Sequence, residues 1–279
     1  MPLDSNYRCD REFLKLLTRR AEVDLVGIAL EIAREAHPSL DTQCVTHWID
    51  ERADEVRGAV ARADSELEAL VALGEVIHGH YGLTGSCAAF ETADGSYLHR
   101  VIETRTGIPL SLSLLYIAVA KKVGLDLVGV AAPRHFLTRY ESAAGPLFVD
   151  AYHGGRVLTH EECIRFLSGV TEMPAGWIDV ALQAADARTI VIRMLNNLKA
   201  IHMRREEWGR AWNVQHRLVS LQPAVYTERR DLGLIALRAG RPGCAIDLLR
   251  SCLVNAPQDE QSVLEAHLQE ARALLCQMN

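Results

Sequence analysis

No long uninterrupted apolar run occurs anywhere in the 279 residues; nothing approaches the ~18 that a membrane span requires. The opening, MPLDSNYRCDREF, has no apolar stretch behind a basic tip and does not read as a secretory signal. Basic charge is in deficit, with 30 Lys and Arg against 36 Asp and Glu. The net charge of −6 argues against a dedicated nucleic-acid binder, which needs a basic face for phosphates. Paired cysteines are missing too. The seven present (Cys9, Cys44, Cys87, Cys163, Cys244, Cys252, Cys276) are odd in number and scattered, without a Cys-x-x-Cys. Neither a disulfide framework nor a structural zinc site is indicated. Glycine-rich phosphate loops are absent as well. These absences predict a cytoplasmic protein with no cofactor, no membrane association and no nucleic-acid partner.

What is present is the balance of a folded globular chain, 49% apolar and 24% charged, long enough for two domains. The charge divides unevenly. Residues 1–185 carry 17 basic and 26 acidic groups, a net of −9, whereas 186–279 carry 13 and 10, a net of +3. Residues 11–36 repeat apolar side chains at helical spacing until His37-Pro38 breaks the pattern, and 41–80 form a second helical stretch. The glycine-rich segment 81–97 reads as a loop. A short helix from 98 to 105 leads through Gly107-Ile108-Pro109 into LSLSLLYIAVAKKVGL. Pro109 suits a first helical position and Gly124 a stop. The near absence of a polar face predicts a buried central helix. Strand-like runs follow at 126–132, 135–140 and 147–152, the last two joined by a hairpin turn at ESAAGP. Helices followed by an antiparallel sheet give an α+β expectation.

From about residue 186 the chain is helical again and repeats itself. Ala211 and Ala245, Pro223 and Pro257, Leu198 and Leu232, and Met203 and Leu237 all stand 34 residues apart. That period, with alanines in the second helix and a closing proline, is the signature of tetratricopeptide repeats. Gly233 supplies the small residue where two helices approach closely, and Lys199 stands at its equivalent in the first repeat. Residues 186–279 are therefore expected to form two helical hairpins and a capping helix over about 259–276, stacked on the first domain. Trp208 and Trp212 are expected to pack within a repeat.

If the hairpin turn is symmetric about Ala143 and Ala144, His135 faces Tyr152 and Leu137 faces Asp150. The alternation of strands then makes His135 and Asp150 diagonal neighbours on one face. A carboxylate beside an imidazole fixes its tautomer and supports its cationic form, as a catalytic base requires; the same pair also serves as a plain structural contact at a strand end. A helix packed against such a sheet aims its positive dipole end at that edge, where thiol enzymes hold their nucleophile.

This order of nucleophile helix, His strand and Asp strand resembles the transglutaminase-like (papain-type) core. The segments AREAHPSL (33–40), GSYLHRVIETRTGIPLSLSLLYIAVAKKVGL (95–125), GVAAPRHFLTRY (129–140), LFVDAYHGG (147–155), NNLKAIHMRR (196–205) and RRDLGLIALRAGRPGCAIDLL (229–249) resemble more narrowly the bacterial SirB-one family. There a transglutaminase-like domain precedes tetratricopeptide repeats, and a related domain occurs in an F-box protein. The resemblance implies helices of the transglutaminase-like domain over 1–94, its core over 95–170, a linker over 171–185 and repeats over 186–279. It carries His135 and Asp150 onto the core's histidine and aspartate. No cysteine carries over. Counting back from Gly124, Pro109 takes the cysteine's place, and a two-residue shift offers Ser111. Arg134 replaces the usual glycine before the histidine, and Gly95 the usual asparagine.

Two functions follow as expectations. One is a transglutaminase-like domain without its thiol, whose cleft binds a peptide or small ligand while the repeat groove recruits a protein or peptide partner. The other is a hydrolase or acyltransferase using a Ser111–His135–Asp150 triad. Arg105, Pro109, Arg134 and Tyr152 are the candidate cleft residues, although a surface ion pair of Arg105 with Glu103 or Glu91 is the simpler reading. No metal site is expected, since His78, His80 and His99 lack a carboxylate or thiol spaced to complete a set. His153-Gly154-Gly155 is read as the turn after the Asp strand.

Overall fold

The computed structural model describes residues 7, 9–20 and 22–278. Of the opening segment read above, residues 1–6 and 8 lie outside the described residues. In chain order the helices are α1 (Arg11–Leu17), α2 (Leu25–Ala36), α3 (Gln43–Arg62), α4 (Glu66–Gly74), α5 (Leu98–Thr104), α6 (Pro109–Lys122), α7 (His160–Thr171), α8 (Ala175–Ala181), α9 (Ala187–Arg204), α10 (Trp208–Leu221), α11 (Tyr226–Arg238), α12 (Pro242–Leu253) and α13 (Gln258–Met278). The strands are β1 (Thr84–Gly85), β2 (Thr106–Gly107), β3 (Val128–Val130), β4 (Leu137–Ser142), β5 (Gly145–Asp150) and β6 (Arg156–Thr159). Residues 7–191 form one compact unit, and residues from 192 onward form another. Among the described residues no helix is long and apolar enough to cross a membrane.

In the first unit, β3 to β6 make a four-stranded antiparallel sheet in chain order, and β1 pairs with β2 in a short parallel ladder. The hairpin register is the one expected, with Thr138 opposite Val149 and Ser142 opposite Gly145 around Ala143-Ala144. The strands themselves are displaced. β4 begins at Leu137, so His135 precedes it, and β5 ends at Asp150, so Tyr152 follows it. Strand β6 was not expected. The helical stretch 41–80 is also divided, because Ser65 accepts from the Glu68 N–H at 3.2 Å and opens α4 as a new helix. The wider π-turn Glu75–His80 then continues it. Residues 171–185, read as a linker, carry α8 instead. Its Ile178 and the nearby Leu182 are buried against Leu137 and Phe148 of the sheet and Cys163 and Leu167 of α7.

Helix α6 starts on Pro109 and is buried from there to Tyr116, Ser111 and Ser113 included, and again at Val119 and Ala120. Its apolar side chains leave water over most of its surface, which makes it the spine of the unit. Gly124, at φ +82°, turns the chain out of it.

In the second unit, α11, α12 and α13 share a core of Ala236, Leu237, Ala245, Ile246, Leu249, Leu264 and Leu268. Gly233 lies where expected: a Cβ there would stand 2.9 Å from the Leu249 side chain. Lys199 instead pairs with Asp231 at 2.7 Å, so the first repeat is held by charge at this position. Trp212 packs against the same core, with the Arg241 guanidinium over its ring.

Candidate functional site

Three features position the chemistry: the start of α6, the turn before β4 and the turn after β5. At the first, the Ser111 hydroxyl donates to the carbonyls of Gly95 at 2.6 Å and Ile108 at 3.1 Å. The Gly95 carbonyl also accepts the Ile108 N–H at 3.2 Å. Gly95 is required by this close approach, since a Cβ would lie 2.2 Å from the Ala89 carbonyl oxygen. Pro109 is buried at the first helical position.

Before β4, exposed Arg134 adopts a left-handed conformation, φ +56°, which turns the chain so that His135 points inward. His135 is 6% exposed, and its Nε2 lies 2.9 Å from Asp150 Oδ1. After β5, Asp150 caps a short 3₁₀ turn, Ala151–His153, by accepting the His153 backbone N–H at 3.3 Å. Its second oxygen lies 2.7 Å from His153 Nδ1. Gly154 and Gly155, both with φ near +75°, then reverse the chain, and the Gly155 N–H donates to the Asp150 carbonyl at 2.9 Å. His153 thus makes the expected turn and also holds the second face of the carboxylate, a role that sequence reasoning missed.

Asp150 is only 1% exposed. Burial alone would push its carboxyl up, but the hydrogen bonds and charge of His135 and His153 outweigh it and hold the carboxyl below its ordinary range. Phe166 lies 5.5 Å from the centroids of both imidazoles, and the Tyr152 ring meets His135 edge-on at 6.0 Å. The Tyr152 hydroxyl is 3.8 Å from Cys87 Sγ, which brings the exposed Cys87 to the edge of the site although 48 residues separate it from His135 in sequence. The Tyr152 ring rests on Gly85, where a Cβ would lie 2.1 Å from it. Cys163 is buried, and burial and then the Asp150 charge push its thiol up to about 12, away from the thiolate. Beneath the turn, the buried Tyr116 hydroxyl has no hydrogen-bond partner among the described residues. Burial, then the Asp150 charge, pushes that phenol upward.

The remaining sequence candidates are dispersed. Arg105 sits in a left-handed conformation at the end of α5, where its carbonyl accepts the Thr84 N–H at 3.0 Å. Glu103, offered as its partner, pairs with Arg100 instead. His78 Nδ1 lies 2.9 Å from the Leu83 carbonyl, whereas His99 stacks among His37 and Tyr97. Among the described residues, the potential ligand atoms that converge, all within 4.8 Å, are those of His135, Asp150 and His153.

The pattern of the transglutaminase-like superfamily matches residues 43–196 and that of the tetratricopeptide repeat residues 198–269. The chain belongs to the transglutaminase-like superfamily. Within it the relatives define a SirB-like family. A UPF0162 protein of Xylella fastidiosa is 30% identical over 88% of both chains. Protein SirB1 of Salmonella typhimurium is 27% identical over 70% of this chain and 72% of its own. Human F-box only protein 21 is 28% identical over 77% of this chain but only 33% of its own length. In this SirB-like protein His135 and Asp150 meet, and Ser111 is turned to backbone carbonyls.

Proposed function

We propose that this SirB-like protein is a binding protein: a transglutaminase-like cleft around His135 and Asp150 holds a peptide or small ligand, and the repeats recruit a protein partner. The observation that carries this reading is the engagement of Ser111. A serine has no low pKa to exploit, so as a nucleophile it must hand its proton directly to the imidazole. Here the hydroxyl donates to the Gly95 and Ile108 carbonyls, in the fully buried first turn of α6. The competing hydrolase or acyltransferase requires that hydroxyl to leave both carbonyls and reach His135.

A fluorophosphonate probe tests the choice on the full chain. Ser111 is expected to stay unlabelled, with any thiol-directed labelling mapping to exposed cysteines. Stoichiometric labelling of Ser111, abolished by His135→Ala in a folded protein, would overturn the binding reading. A pull-down comparing wild type with His135→Ala then separates the two surfaces. Partners captured equally by both engage the repeats; partners lost with the imidazole engage the cleft.

A further inference from the structure

We propose that His135, Asp150 and His153 form a binding site for a first-row divalent cation, with Zn²⁺ as its reference ion. The first argument is electrostatic. Asp150 is an almost completely buried carboxylate, and among the described residues its side-chain partners are two imidazoles, with no lysine or arginine. Buried charges are stable when they are paired or when they coordinate a metal. Two imidazole nitrogens and one carboxylate oxygen form a donor set suited to zinc and its neighbours, while calcium and magnesium demand more oxygens.

The second argument is geometric. Tetrahedral bonds of about 2.1 Å place donor atoms about 3.4 Å apart. The two Asp–His separations are 2.9 and 2.7 Å, and all three donors lie within 4.8 Å. An ion therefore needs each donor to shift by less than about 1 Å. The imidazole centroids, 5.8 Å apart, are already close to the roughly 5 Å that two rings on one tetrahedral ion adopt. The Gly154-Gly155 reversal fixes the backbone behind His153, and Phe166 flanks both rings.

Three protein ligands leave a fourth position for water or a ligand group, the arrangement of open zinc sites. His153 is half-exposed and lines a cleft of about 340 Å³ together with Glu75, His78 and Arg156, which gives an ion a way in. Proton balance is simple. On ion binding His135 Nε2 and His153 Nδ1 present lone pairs to the metal; the proton each carries toward Asp150 leaves to solvent, and the other ring nitrogen keeps or takes up the N–H. The proposal does not depend on what the repeats bind.

The test uses the full chain, stripped with chelator and titrated with Co²⁺ as a visible probe and with Zn²⁺ in competition. One equivalent is expected, with ligand-field absorption and without the sulfur-to-cobalt charge transfer that exposed cysteines would produce. His153→Ala, at a half-exposed position where folding is retained, should lower affinity by at least about 100-fold, since changes in outer-shell partners alone cost 10–100-fold. His78→Ala and Cys87→Ser should leave it within about 3-fold, the expectation for groups that touch no ion. Circular dichroism confirms the fold of each variant. A wild type that takes up no equivalent overturns the proposal. So does a His153→Ala variant that keeps it, or an equal loss in His78→Ala.

Discussion

Removing the Asp150 carboxylate tests the architecture of the site most directly. In Asp150→Ala, His135 stays 6% exposed with its Nε2 unpartnered, and the 3₁₀ turn loses its cap. Breaking a buried pair from one side costs about 3–5 kcal/mol. The His153 contact adds little, because that ring is half-exposed and solvent screening holds such pairs below about 1 kcal/mol. We therefore expect a loss of about 4 kcal/mol, a large share of a typical 5–15 kcal/mol. Asp150→Asn keeps one acceptor and should cost about 1–3 kcal/mol. The double variant His135→Ala/Asp150→Ala should cost less than the sum of its singles by about 1.5 kcal/mol or more. The sign of the pH dependence follows from the lowered carboxyl. Its contribution is complete above the unfolded value of about 3.9 and disappears as pH falls through the lower folded value. The Asp150 carboxylate's own share of the stability gap between wild type and Asp150→Asn should then be lost as pH falls below about 4. Urea unfolding of the full chain, followed by tryptophan fluorescence and far-ultraviolet circular dichroism, measures both. A cost below about 1 kcal/mol for Asp150→Ala, or strict additivity in the double variant, refutes the reasoning.

Other substitutions probe the surrounding frame. Arg134→Gly should stabilise by about 0.5–1 kcal/mol, because relief of the left-handed backbone exceeds the entropy glycine adds to the unfolded chain; an equal or lower urea midpoint contradicts this. Tyr116→Phe should be neutral or stabilising by up to about 1 kcal/mol, since the buried hydroxyl has no partner to lose; a thermal midpoint several degrees lower would show otherwise. Gly95→Asn should cost about 3 kcal/mol, because its Cβ meets the Ala89 carbonyl at 2.2 Å, and a wild-type unfolding curve would refute that steric reading. An isolated 186–279 fragment should melt well below the intact chain, since two repeats and a cap have few neighbours to lean on. Cooperative melting at the same temperature would contradict it.

What was legible in the sequence is what short-range chemistry controls. The turn residues around Ala143-Ala144 dictated the hairpin register, and with it the meeting of His135 and Asp150. Pro109 and Gly124 bounded α6, and the 34-residue spacing located the helices that share the Gly233 contact. Two boundaries were missed although their signals were present. Ser65-x-x-Glu68 starts α4, and Thr159-x-x-Glu162 forms a complete capping box that ends β6 and opens α7. The rest depends on closure in three dimensions. Nothing near Cys87 in the chain announces Tyr152, 65 residues on; the parallel β1–β2 ladder and the glycine beneath the ring create that contact.

His153 stands between these cases. Its place after Asp150, followed by two glycines, identifies a turn from residue types alone. Which atom of the turn faces the carboxylate depends on Gly154 and Gly155 both lying at positive φ and on Gly155 fitting against the Tyr116 hydroxyl, where a Cβ would come within 2.5 Å. Asp150 is almost wholly buried, and two imidazoles meet its carboxylate. His135 makes the buried half of that pairing, and half-exposed His153 adds a second, weaker contact. With it the three residues bring potential ligand atoms within 4.8 Å of one another, the donor set on which the proposed cation site rests.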